Sequence, residues 1–168
     1  MTIHNSILLL ISIVGGIYDW KSRKIPNWLT FGTFILGLLF NVLRFNISDI
    51  LNCLLGFVVG VLILFIPYIK GGIGAGDVKL LGAIGALAGY KNVILIFMYS
   101  GISGLLLGLI WLFLTPGHFK FLITTGQILP TVDKKQKVPY GIAILAGTIL
   151  YIIFGSASFF NFPLPQWQ

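Results

Sequence analysis

A chain of 168 residues that is 57% hydrophobic and only 9% charged, with mean hydropathy +1.00, falls outside the composition of soluble domains and reads as an integral membrane protein. Its length holds roughly six spans of about 20 residues with short connections, so residues 1–168 read as one membrane-embedded module. The formal charge of +7 is carried by 11 Lys and Arg scattered between apolar runs rather than along one soluble face, which favours a lipid bilayer over nucleic acid as partner.

The first apolar run, Ile3 to Tyr18, ends in Gly15-Gly16-Ile17-Tyr18-Asp19-Trp20 without a small-x-small cleavage pattern, and no Lys or Arg precedes it. It is expected to stay as a span rather than leave as a signal peptide. Pro26-Asn27 opens the second run, Trp28 to Leu43, with Pro in an entry position that helices tolerate. Ser48-Asp49 precedes the third, Ile50 to Ile69, and Asp49 is expected to cap it on the outer side. The fourth, Val78 to Gly89, follows the Gly-rich stretch Gly71 to Gly76 and the acid Asp77. Its 12 residues rise about 18 Å against a hydrocarbon core of ~30 Å, so either the bilayer thins or the Gly-rich approach dips inward. The fifth run is Val93 to Leu114 and the sixth is Tyr140 to Phe154. Between them, Thr115 to Lys137 is either an amphipathic interfacial piece or a loop, and Trp167 in the tail is a plausible interfacial anchor.

The expected fold is therefore an all-α integral membrane protein, a compact bundle of six transmembrane helices. Threaded back and forth, the chain gathers Lys21, Arg23, Lys24, Lys70, Lys79, Lys120, Lys134, Lys135 and Lys137 on one side and leaves Arg44 and Lys91 on the other. That asymmetry obeys the positive-inside rule. It places both termini outside and the Asp19 and Asp77 regions at the cytoplasmic face of the cell's inner membrane. The 21 glycines include small-xxx-small pairs at Gly56/Gly60, Gly85/Gly89 and Gly104/Gly108, which suit helix packing within the chain, with homo-oligomerisation as the alternative.

Four carboxylates are present, Asp19, Asp49, Asp77 and Asp133, and an acid at membrane depth is expensive unless it has a task. Asp133 stands beside Lys134 and Lys135 as a solvated loop charge, whereas Asp19 and Asp77 each sit where an apolar run meets a loop. Two carboxyls sharing a site push their ionisations apart, giving a base that activates water and an acid that protonates a carbonyl oxygen. Gly74 and Gly76 permit close approach of a substrate backbone to Asp77. Asp77 at a helix N-terminus is expected to be the more readily ionised, and Asp19 at a C-terminal pole less so. The plain alternatives are a helix cap for Asp77 and an interface marker for Asp19. His4 and His118 are too isolated to build a metal site, Cys53 lies alone in an apolar run, and no cofactor motif is present.

Three elements in order carry a family resemblance. Asp19-Trp20-Lys21-Ser22-Arg23-Lys24-Ile25-Pro26-Asn27 is similar to the Asp-to-Ile-Pro-Asn segment of type IV prepilin peptidases. Gly74-Ala75-Gly76-Asp77-Val78-Lys79-Leu80-Leu81 resembles their Gly-x-Gly-Asp-x-Lys-Leu segment, and Val138-Pro139-Tyr140-Gly141 their Pro-Tyr/Phe-Gly element. The resemblance implies an aspartic endopeptidase that removes the short leader of prepilin-like membrane proteins at the cytoplasmic face. Its catalytic acids map onto Asp19 and Asp77. Gly74, Gly76, Lys79, Pro26, Asn27, Pro139, Tyr140 and Gly141 become motif or substrate-facing positions. Lys79 is read as orienting substrate, tuning the acids or snorkelling to the interface. The single Cys cannot form the paired Cys-x-x-Cys of larger bifunctional members, so peptidase activity without N-methylation is expected. The small architecture is similar to peptidases of tight-adherence (Flp) pili and to archaeal preflagellin peptidases. A presenilin-like or signal-peptide-peptidase-like protease is the enzymatic alternative. A small carrier is the non-enzymatic one, and it is disfavoured because the middles of the runs hold no charge.

Overall fold

The computed structural model of the protein describes residues 3–22, 24–43, 46–114 and 140–155. They form helices α1 (Ile3–Ser22), α2 (Asn27–Val42), α3 (Ile47–Ile69), α4 (Ala75–Ala88), α5 (Tyr90–Leu114) and α6 (Tyr140–Phe154), with no strand among them. Pro139, His118, Asp133, the 115–137 connection and Trp167 lie outside the described residues. Two segments, Ile47–Ile69 and Tyr90–Ile110, are long and apolar enough to cross a membrane, and Asn27–Val42 and Tyr140–Phe154 are shorter apolar helices.

The organising element is α4. It touches all five other helices, and from Asp77 to Ala88 every residue except Lys79 is buried. A helix apolar on every side needs an apolar surround, and here that surround is protein. Its 14 residues, about 21 Å long, therefore need not match a bilayer. Gly71 and Gly72 are exposed in a turn closed by Gly71 N–H donating to Tyr68 O at 2.9 Å and Gly72 N–H to Pro67 O at 3.0 Å.

The α3–α4 crossing explains two of the small-residue pairs. A Cβ on Gly56 would strike the Gly85 carbonyl, one on Gly85 the Gly56 carbonyl, and one on Gly60 the Leu81 carbonyl at 2.6 Å. On α3 the buried residues are Cys53, Gly56, Gly60 and Leu64, while Leu51, Leu55, Val58, Leu62 and Ile66 are exposed. Apart from Leu64 the inward stripe is made of small residues, and large apolar side chains cover the outward face, the packing that suits an apolar solvent. Gly104 backs onto Ala143 and Tyr140, whereas Gly108 has nothing within 4 Å among the described residues.

Two boundaries differ from expectation. The N-cap of α3 is Asn46, whose side chain accepts from Ser48 N–H, so Asp49 sits within the first turn, where its charge complements the helix N-terminus. Helix α5 begins at Tyr90 rather than Val93. Gly89 alone, at φ +83, makes the break, and Asn52 Oδ1 accepts from Tyr90 N–H at 3.2 Å. The Asn92 amide donates to Ala88 O at 2.8 Å and draws Lys91 and Asn92 into the helix.

Candidate active site

Helix α1 runs on past Tyr18 to Ser22, which puts Asp19 inside its last turn, 6% exposed. Its depth is set by the docking of α1 on α6. Ser12 Oγ donates to Thr148 Oγ1 at 3.0 Å, Thr148 Oγ1 donates to Ile144 O at 2.8 Å, and both side chains are fully buried. Toward the start of α6, Gly141 N–H donates to Asp19 Oδ2 at 2.7 Å. A Cβ at position 141 would stand 2.7 Å from Asp19 Cβ and 2.8 Å from Oδ2. Only glycine lets the helix start come this close.

Asp77 is the third residue of α4, also 6% exposed. Its Oδ2 accepts from Gly74 N–H at 3.2 Å, and its own N–H donates to Gly74 O at 3.2 Å. This is half of a capping box, since Gly74 has no side chain with which to return the bond. Asp77 Oδ1 is buried and has no hydrogen-bond partner among the described residues. A buried carboxyl oxygen without a donor is costly, so a plain cap does not account for it.

The two acids belong to one neighbourhood. Asp19 and Asp77 lie within range of each other's charge, and Tyr140, beside Gly141 at the start of α6, lies within range of Asp77. Asp19, Asp77, Tyr140 and Gly141 thus come together from α1, α4 and α6. The expected contrast of helix poles changes here. Asp19 ends one helix, but it also accepts from the N-terminal turn of another, where N–H groups favour an anion.

The remaining described motif residues lie on the segments that follow or precede the two acids. Gly76 is overlain by Ile25, with a Cβ there 3.1 Å from Ile25 Cβ and 3.2 Å from its nitrogen. Pro26 is the N-cap of α2, at φ −67 and ψ 139. Lys79 Nζ donates to Asn27 Oδ1 at 3.1 Å on the exposed surface, joining the segments that follow Asp19 and Asp77. Sequence reasoning missed this bridge and the Gly141–Asp19 contact. Both are tertiary, and only the second has a local trace, the glycine after Tyr140. Among the described residues no three His, Cys, Asp or Glu side chains gather, and Cys53 is buried in α3.

The two aspartates, each buried, sit on α1 and α4 of a scaffold whose described residues form apolar helices and no strand. The model of the Type IV leader peptidase family matches residues 6–109, more than half of the 168, and the chain belongs to that family. A prepilin leader peptidase/N-methyltransferase of Pectobacterium carotovorum subsp. carotovorum is 33% identical over 112 residues, covering 62% of this chain and 40% of the relative. One from Escherichia coli (strain K12) is 30% identical over 97 residues, covering 54% and 43%. One from Bacillus subtilis (strain 168) is 32% identical over 87 residues, covering 52% and 29%. The chain spans less than half the length of these curated relatives. No solved structure matches it.

Proposed function

We propose that this chain is a membrane aspartic endopeptidase that cleaves the short N-terminal leader of type IV prepilin-like proteins, with Asp19 and Asp77 as its catalytic pair. What supports the reading is that both acids are buried, lie within range of each other's charge, and leave Asp77 Oδ1 without a hydrogen-bond partner among the described residues. Family membership supports the substrate class.

The hydrogen bonds support a division of labour. Asp19, fed by the Gly141 N–H, is the carboxylate that takes a proton from water as the water oxygen attacks the scissile carbonyl carbon. Asp77, with an oxygen lacking a donor, brings the proton that the carbonyl oxygen receives. Collapse of the tetrahedral intermediate breaks the C–N bond. The proton held on Asp19 passes to the leaving amine, and the hydroxyl proton returns to Asp77. The pair ends as it began. Activity therefore needs one shared proton, and the rate is lost when both acids are ionised or both protonated.

The membrane placement follows from exposed apolar side chains along α2, α3 and α5 and from the cation asymmetry of the sequence. In this reading the chain crosses the inner membrane six times, with termini outside and the carboxyl pair near the cytoplasmic face. Lys21, Lys24, Lys70 and Lys79 rim that face. The proposal covers peptide hydrolysis by residues 1–168 and assigns no residue to methyl transfer.

Co-expression with a prepilin-like substrate tests it. Shortening of the substrate is expected to disappear in Asp19→Asn and, separately, in Asp77→Asn, with each variant present in membranes at the parent level. Cleavage retained by either variant removes that residue from the pair.

A further inference from the structure

Helix α4 begins without a capping side chain. Its N-cap is Gly74, at φ −79 and ψ 149, so the first turn lacks the oxygen that Ser, Thr, Asp or Asn would offer to its N–H groups. Asp77 N–H turns to Gly74 O at 3.2 Å, and Gly74 N–H is taken by Asp77 Oδ2 at 3.2 Å. The N–H groups of Ala75 and Gly76, the first two residues of the helix, have no acceptor among the described residues. The Asp77 carboxyl is folded back over this same helix end, since a Cβ at position 74 would stand 3.2 Å from its Oδ2 and 4.0 Å from Gly76 N. Its other oxygen, Oδ1, is buried and also without a partner among the described residues, on a side chain only 6% exposed. One wall is apolar: Ile25, itself buried, has its Cβ 3.1 Å from where a Gly76 Cβ would be. Two open donors and one open acid oxygen thus share the start of α4.

We propose that the backbone amides of Ala75 and Gly76 are the donors for the scissile carbonyl oxygen: they hold it beside Asp77 and stabilise the negative charge it gains when water attacks. The inference deepens the reading of Asp19 and Asp77 as the reaction pair and rests on it. As the water oxygen bonds to the carbonyl carbon, the C=O π pair moves onto the carbonyl oxygen. One lone pair of that oxygen accepts from N–H while another takes the proton of Asp77. A carbonyl oxygen is the same kind of acceptor as a capping side chain, and the positive pole of α4 favours it more as its charge grows. An interaction that strengthens on the way to the transition state is one that raises kcat. Gly74 then serves the reaction as well as the packing, because a capping side chain at that position would take the donors for itself.

Ala75→Pro removes one donor and little else. Proline is tolerated at the first position of a helix, and the extended backbone of Gly74 is the conformation it favours in the residue before it. Ile47 is the matching position of α3, exposed, preceded by the extended Asn46, and near the far end of α4, where Asn52 bonds Tyr90. Ile47→Pro therefore makes the same change away from the acids. Purified full chain in detergent is assayed on a prepilin-like substrate as the parent, Ala75→Pro, Ile47→Pro, Asp19→Asn and Asp77→Asn, with a melting temperature for each. Ala75→Pro is expected to keep the parent melting temperature and to lose on the order of 100-fold in kcat, with KM changed less than about threefold, while Ile47→Pro keeps the parent kcat. Should Ala75→Pro fail to fold, cell-free synthesis with lactic acid in place of Ala75 exchanges the N–H for an ester oxygen and keeps the methyl group, and the same loss of kcat is expected. Parent-like kcat in the folded proline variant or in the ester overturns the inference. So does a raised KM with kcat unmoved, or an equal loss in Ile47→Pro. Cleavage surviving in either Asn variant instead overturns the underlying reading of the pair.

Discussion

Asp19 and Asp77 are equally buried, at 6% exposure each, yet the chain holds them by opposite means. Asp77 is fixed locally, as the third residue of α4, by the amide of a residue three positions earlier. Asp19 is fixed by an amide 122 positions away, delivered by a helix that must first dock through Ser12, Gly16, Thr148 and Leu145. The first acid takes its local geometry as soon as α4 forms. The second is in place only when α1 and α6 have met. Changes to the α1–α6 seam should therefore disturb one carboxyl and spare the other.

The largest effect after loss of an acid itself is expected from Gly141→Ala. The added Cβ, 2.7 Å from Asp19 Cβ, forces α6 away and removes the donor to Oδ2. About 100-fold loss of kcat is expected with the protein still folded, measured by substrate shortening. An activity within twofold of the parent would show that the contact with α6 is dispensable. Gly85→Val probes the other side of the comparison, since it drives a side chain into the Gly56 carbonyl where α4 meets α3. It should destabilise by about 3 kcal/mol, read as a lowered melting temperature in detergent. Thr148→Val leaves the buried Ser12 hydroxyl without its acceptor and should cost roughly 1 kcal/mol, with kcat falling in step because α1 loosens on α6. The smallest effect belongs to the rim. Asn27→Ala and Lys79→Met break an exposed bridge and should each change kcat/KM by about twofold or less. A tenfold loss there would mean that Lys79 contacts substrate directly.

Much of this arrangement was legible in the sequence, and the rest was hidden for definable reasons. The Asp77 site is contiguous, so Gly74-Ala75-Gly76-Asp77 before an apolar run displays both the acid and the helix start that holds it. The α3 glycines could be read too, because their spacing of four is a packing signal wherever large side chains surround it. The surroundings of α4 could not, since a helix apolar on every side reads the same against lipid as against protein. Asp49 and Asn46 are both good capping types, and the choice fell to the residue that adopts an extended backbone, Asn46 at φ −113 and ψ 118. The Lys79–Asn27 bridge has no local signature, because it acquires its meaning only when α2 and α4 meet.

The central claim is that the two acids stand together. It is tested most directly by replacing both with cysteine in a Cys53→Ser background, treating the membrane-embedded protein with a short bifunctional thiol reagent, and analysing the peptides by mass spectrometry. The account predicts a bridged product joining the peptides that carry positions 19 and 77, formed only in the double variant. Two thiols that each react singly, with no bridge formed under conditions that readily join a control pair placed across the Gly56–Gly85 crossing, would contradict it.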